Sequence, residues 1–369
     1  MRKLLKISLF LLPIFLIPIS VNGITIDIRN ARELLFQSFT IIALGIAIGN
    51  KWIKYFLIWA VCNWWLNYFL PPQATPVLFN ITFGFLFFYF IKTFIKEKDI
   101  NKILKLICIT ALVQIGWLIV QLFKKDFIFY PFDSGSLWSG VGALFGFMGN
   151  KAVLGIYLAL CLPLFRVYFK WFIPFVIIGL FISRSSIAII SGLGGLVCFE
   201  IFTALCIKKF KRVIWVGLIC LILLGIFFYF IDYFGWERIG IWKQMLIQTA
   251  NWRCSIGQGM GKFQRLLLKD KTGTMWDNPH NEFLQVYFEL GLVGLFLITG
   301  YLVNLTKRFI KNFKNEITIV LFSGIVVLLI NSLGMFPMQL ASTAFLGITY
   351  FALLEILLCQ PQPVVLSKI

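Results

Sequence analysis

One histidine, His280, is all that the 369 residues offer, and 15 acidic residues stand against 34 Lys and Arg. A lone histidine excludes a multi-histidine metal site. No Asp-x-Asp pair is present to hold a magnesium or manganese ion beside a sugar phosphate. No metal and no other cofactor is therefore expected. The eight cysteines include no pair at metal-ligand or redox spacing. Nearly all lie in or at the edge of apolar runs, where a thiol reads as a small packing residue, and only Cys254 falls in a long polar loop. Long polar stretches are scarce too, the longest being 232–281. With 60% apolar residues, 17% aromatics and a mean hydropathy of +0.91, the composition excludes an ordinary soluble domain.

What the chain does have is apolar runs close to the ~20 residues that a helix needs to span a bilayer. After a first run at 4–20, they recur near 34–49, 53–70, 76–95, 103–123, 150–168, 170–183, 186–207, 212–231, 282–305, 317–333 and 340–358. None shows the strand-length alternation of an outer-membrane barrel, so helices are expected. The expected class is an all-α polytopic membrane protein with about twelve transmembrane helices. Met1-Arg2-Lys3 and the apolar stretch after it have the form of a secretory signal, with Val21-Asn22-Gly23 as a possible cleavage site. In a polytopic chain a retained first helix is the expectation.

The formal net charge of +19 does not point to nucleic acid, because the basic residues sit in short clusters between apolar runs and form no single surface. The clusters alternate. One set holds Lys92, Lys96, Lys98 and Lys102, then Lys208, Lys209 and Lys211, then Lys307, Arg308 and Lys311; the other set is poorer. The rich set should face the cytoplasm, which puts both termini inside and makes 232–281 one large extracytoplasmic loop. The chain then divides into N-terminal transmembrane helices over 1–148, central ones over 149–231, the loop over 232–281 and C-terminal helices over 282–369. Membrane lipids with phosphate headgroups suit the basic clusters.

The stretch Asp277-Asn278-Pro279-His280-Asn281-Glu282 stands where the polar loop gives way to the next apolar run. Asn278 reads as an N-cap and Pro279 as the first helical residue, which puts His280 in the first turn. His280, Leu284, Tyr287 and Gly291 then share one helical face. Open N–H groups and the positive dipole end disfavour an imidazolium there and favour a bound phosphate. A capping histidine with no chemical role fits the same position.

Arg184 interrupts apolar sequence, between Phe175–Ile182 and Ile187–Val197. A charge at membrane depth faces a cavity or a partner. The alternative is a tight outer turn, Ser183-Arg184-Ser185-Ser186, with a snorkelling arginine. In the large loop, Ile239–Ala250 has weak amphipathic spacing suited to a membrane surface. Gly257-Gln258-Gly259-Met260-Gly261 follows, a glycine cluster that either brings N–H groups to a phosphate or merely connects.

Several of these stretches together resemble the O-antigen ligase and polymerase family of membrane glycosyltransferases. The resemblance rests on Gly149-Asn150, Gly155 and Tyr157-Leu158; on Ser183-Arg184-Ser185; on Arg238, Trp242 and Gly257-Gln258-Gly259; and on His280-Asn281, Glu289-Leu290-Gly291 and Gly294. It covers roughly 145–300. Two details depart from the family pattern: Ile187 stands where a small residue is usual, and Cys254-Ser255-Ile256 replaces the proline before Gly-x-Gly. The resemblance implies a GT-C-like fold and a metal-independent transfer of a glycan from a polyprenyl-pyrophosphate-linked donor to a hydroxyl of a lipid or glycan acceptor, at the outer face of the inner membrane. It implies that Arg184 and Arg238 bind the diphosphate and that His280 accepts or orients the acceptor proton. Asn281, Glu282, Lys243, Asn150, Gly257 and Gly259 are the further substrate-binding candidates. A planar guanidinium suits a diphosphate because its fork meets two oxygens at once.

Ligase and polymerase share donor and motifs, so the acceptor stays open. A transporter of lipid-linked sugar is the alternative from another class. Transporters commonly show related halves with interrupted helices, and no repeat relates the two halves here.

Overall fold

Apolar runs without alternation become helices, as the bilayer argument requires. The computed structural model describes residues 20–21, 24–25, 74–123, 146–148, 150–207, 218, 236–249, 263, 268–269, 275–276, 279–313 and 315–359. Within them α1 spans Ala74–Phe94, α2 Glu97–Leu122, α3 Lys151–Tyr168, α4 Ile173–Ile182, α5 Ser186–Cys206, α6 Trp236–Thr249, α7 Glu282–Asn312, α8 Glu316–Ser332 and α9 Ala341–Leu358. Short 3-10 turns at Lys170–Phe172 and Pro337–Gln339 precede α4 and α9. Two-residue antiparallel pairs join Ser20–Val21 to Ile24–Thr25 and Leu268–Lys269 to Met275–Trp276. The runs expected at 34–49 and 53–70 lie outside the described residues, as do those at 4–20 and 212–231 apart from Ser20 and Leu218.

Four of these helices, α2, α3, α5 and α9, are long and apolar enough to cross a membrane by length and composition. α4 and α8 are apolar but shorter. Large apolar side chains point outward along several helices, among them Phe175, Ile178 and Phe181 of α4 and Phe296 of α7. An acyl-chain environment accounts for such surface, whereas water does not.

α3 is the centre. Val153 to Phe165 is buried without interruption, and α2, α4, α5, α8 and α9 all pack on it. α5 and α8 also pack tightly on each other, and α9 bridges α8 and α1. In lipid, helices gain little from apolar burial against one another and rely on close backbone approach. Small residues supply it. A Cβ on Gly192 would lie 3.3 Å from Ala159 Cα, and one on Gly195 would lie 3.1 Å from Pro163 Cγ and closer still to Val327. A Cβ on Gly324 would overlap the ring of Tyr350, whose hydroxyl donates to the Leu160 carbonyl at 2.9 Å. Gly324→Ala must therefore displace a buried ring and its hydrogen bond. We expect a loss of about 2 kcal/mol, read as a lower unfolding temperature in detergent. An unchanged melting curve would mean that the ring has room to move.

Several buried polar groups are satisfied across helices. Gly146 N–H donates to Gln121 Oε1 at 2.8 Å, and Phe147 N–H donates to Gln114 Oε1 at 2.8 Å. Non-helical backbone among apolar helices needs such partners. Further along, Glu355 of α9 accepts from Arg308 and Tyr301 of α7 and lies 3.7 Å from Lys92 Nζ of α1.

Two sequence expectations are corrected here. The cap of α7 is Asn281, whose Oδ1 accepts the Leu284 N–H at 3.0 Å, so Pro279 and His280 precede the helix. Asn278 lies outside the described residues. The common face of His280, Leu284, Tyr287 and Gly291 does not form either. His280 is not helical, and Gly291, at φ 70°, breaks α7 into two segments.

Candidate functional site

The site is assembled on the loop that joins α8 to α9. Asn331 ends α8 in tertiary contacts: its Nδ2 donates to Ser191 Oγ of α5 at 2.6 Å. Ser332, Gly334 and Pro337 are turn-forming residues that stop one helix and set the entry to the next. Three other stretches reach this loop. Arg238 of α6 donates from Nη1 to the Gly334 carbonyl at 2.6 Å. His280 lays its ring edge-on to Phe336, centroids 5.0 Å apart. Asn281 donates from Nδ2 to the Leu333 carbonyl at 3.1 Å. Trp242, one turn along α6 from Arg238, donates its indole N–H to the Pro279 carbonyl at 2.7 Å and so ties α6 to the histidine segment.

Arg184 comes to the same region through its helix. It occupies the turn between α4 and α5, with its side chain exposed. A Cβ on Gly334 would lie 3.3 Å from Cγ1 of Ile187, in the first turn of α5, and 3.7 Å from Arg238 Nη1. Gly334 is thus the junction between the Arg184 helix and Arg238. Gly155 of α3 supports the turn from below. A Cβ there would sit 2.6 Å from Ser183 Oγ, which donates to the Leu180 carbonyl at 2.6 Å. Two separated sequence motifs, Gly-Asn-x-x-x-x-Gly and Ser-Arg, are therefore in contact.

Backbone conformation singles out the same residues. Among the described residues the non-glycine positions with positive φ are Arg184, at 52°, and His280, at 51°. A side-chain-bearing residue adopts this region at a cost and keeps it only where its surroundings impose it. At Arg184 the imposing contacts are the backbone bonds of Ser183 N–H to Gly179 O and Arg184 N–H to Phe181 O. At His280 they are the flanking anchors at Pro279 and Asn281.

The remaining candidates separate. Asn150 spends its side-chain oxygen on the Ala152 N–H at 2.8 Å, as the cap of α3. Glu282 accepts from Ser332 Oγ at 2.7 Å and from the Met338 N–H at 2.5 Å, so its carboxylate is committed to the loop. Lys243 is exposed on α6, opposite Ile241 and Met245, which pack with Phe263 and Phe288. Gly257 and Gly259 lie outside the described residues. Glu289 accepts from Gln285 Nε2 of its own helix at 3.2 Å. The α8–α9 loop itself was not singled out by sequence, although Ser332-Leu333-Gly334 interrupts an apolar pattern in the way turns do.

Burial lowers the Arg238 pKa from its ordinary value, yet a guanidinium starts so far above neutral that it stays charged. Its donors beyond Nη1 have no partner among the described residues, and neither has the Arg184 guanidinium. The arrangement therefore offers one cationic fork and an imidazole beside one loop, with Arg184 in the turn that leads to Ile187, a set suited to an anionic group and a proton transfer. Among the described residues no three His, Cys, Asp or Glu side chains are grouped so as to hold a metal ion. Comparison with family models, with curated proteins and with solved structures finds no match.

Proposed function

We propose that this chain is a multi-pass protein of the inner membrane that transfers a glycan from a polyprenyl-pyrophosphate donor to an acceptor hydroxyl, in the manner of an O-antigen ligase or polymerase. In this reading about twelve spans cross the bilayer, both termini are cytoplasmic, and 232–281 is extracytoplasmic. The observation that carries it is conformational. Arg184 and His280, two of the three residues that the resemblance assigns to catalysis, are the described non-glycine residues held at positive φ. Strain kept at such positions is a mark of a functional site. The third residue, Arg238, hangs on the loop that also meets His280.

In the reaction the acceptor oxygen attacks the anomeric carbon as the carbon–oxygen bond to the diphosphate breaks. The polyprenyl pyrophosphate leaves with the bonding pair. Arg184 and Arg238 balance the charge that grows on it, a role otherwise taken by a metal. His280 takes the acceptor's proton and releases it to solvent. The membrane holds the lipid tail while the diphosphate lies at its surface.

The test is transfer by purified protein in liposomes that contain a polyprenyl-pyrophosphate glycan and candidate acceptors. Transfer is expected at the same rate with and without EDTA. Inhibition by EDTA that added metal reverses would overturn the metal-free chemistry. Movement of the donor across the bilayer without transfer would make the protein a transporter.

A further inference from the structure

Resting on the transfer reading, we infer that Glu282 is a positioning residue: it clamps the α8–α9 loop from both ends and thereby holds Arg238 in place for the donor diphosphate. Glu282 is the first residue of α7, and its two carboxylate oxygens diverge to two parts of the loop. Oε2 accepts the Ser332 hydroxyl at 2.7 Å, and Oε1 accepts the Met338 N–H at 2.5 Å. Between these anchors lie both loop groups that the site uses: the Gly334 carbonyl that receives Arg238 and the Phe336 ring beside His280.

The neighbours of Glu282 reinforce the clamp. Asn281 caps α7 with its oxygen and donates with its nitrogen to the Leu333 carbonyl. Gln285, one turn on, accepts from Gln339 Nε2 at 2.6 Å. One turn of α7 thus reaches the loop at Leu333 and Gln339 as well as at Ser332 and Met338. Glu282 has no ion-pair partner among the described residues, so it acts here as a pair of acceptors and does not neutralise either arginine. A carboxylate engaged on both oxygens by neutral donors also presents less free charge to an incoming anion than an open one.

The consequence is specific. The Gly334 carbonyl sits where α5, α6 and the loop meet, so a shift of the loop moves the acceptor that fixes the Arg238 guanidinium. Misplacement of a binding group by an ångström is costly because a diphosphate is gripped through directed hydrogen bonds. Glutamine can replace glutamate in this role. Its oxygen accepts from Met338, and its amide donates to the Ser332 oxygen, which turns its own proton away. Alanine cannot.

The experiment measures binding of radiolabelled polyprenyl pyrophosphate, without glycan, to the full-length protein in detergent. It compares wild type, Glu282→Ala, Glu282→Gln, Ser332→Ala and Arg238→Ala, each with its unfolding temperature. Glu282→Ala is expected to weaken binding about tenfold, close to Arg238→Ala, and Ser332→Ala about threefold. Glu282→Gln should stay within about twofold of wild type. Should Glu282→Ala fail to fold, Ser332→Ala carries the same comparison from the other side of the bond. Glu282→Gln as weak as Glu282→Ala would mean that the charge itself acts on the ligand, and the positioning role would be wrong. Wild-type binding by both Glu282→Ala and Ser332→Ala would also overturn it. A wild-type protein that does not bind the probe would overturn the transfer reading itself, an outcome separate from either of these.

Discussion

His280→Ala is expected to abolish glycan transfer, with a loss of at least about a hundredfold, while the protein inserts, is produced and elutes as wild type does. The size follows from what a positioned acid–base group contributes, roughly 10²–10⁴ in rate. The ring is half-buried beside Phe336, one residue ahead of the α7 cap, in a segment fastened at Pro279 and Asn281. Those fastenings are backbone and neighbouring side-chain contacts, and they survive the substitution. What changes is the left-handed backbone at position 280, which alanine tolerates no better than histidine. His280→Asn removes that objection, since asparagine enters this region readily and cannot take a proton at neutral pH. Both variants should be inactive and should bind the polyprenyl pyrophosphate normally. Transfer at the wild-type rate by either one would end the proposed role of His280.

The helices were readable in advance because a bilayer leaves little choice: an apolar run of about twenty residues must close its own hydrogen bonds. The runs expected at 150–168 and 186–207 differ by only a residue or so from the observed Lys151–Tyr168 and Ser186–Cys206. The turn at Ser183-Arg184-Ser185 was also legible, as a polar break between apolar stretches. The start of α7 was not. Asn278 and Asn281 both suit a cap, and Pro279 favours the first. Asn281 prevails through a tertiary bond that local sequence does not reveal, its donation to the Leu333 carbonyl, more than fifty positions away. Spacing puts Gly291 on one helical face with His280, Leu284 and Tyr287, yet its φ of 70° places it at a break in the helix. Glu282 is a substrate-binding candidate under the resemblance; its partners, Ser332 and Met338, belong to a loop that becomes its neighbour only on folding.

Arg184→Lys should reduce transfer by about ten- to a hundredfold, although it keeps the charge. That is the effect of losing one charge-assisted hydrogen bond of a bidentate pair, about 1.5–3 kcal/mol. The substitution is informative because the rest of the position is indifferent to it. The side chain is exposed in the α4–α5 turn, so no packed core is disturbed. Lysine meets the positive φ of 52° on the same terms as arginine, so the backbone cost cancels. The supports of the turn, Ser183 Oγ on the Leu180 carbonyl and Gly155 beneath it, do not involve the guanidinium. Only the head group differs, a planar fork against a point charge. Lys98→Arg on α2, exposed and remote in sequence from every candidate, is the matching control and should be silent. Donor KM should rise more than kcat falls if the fork grips the diphosphate equally before and during the reaction, and kcat should fall if it grips mainly the departing group. An Arg184→Lys enzyme as active as wild type would instead assign Arg184 to the tight outer turn, where a snorkelling cation of either kind serves.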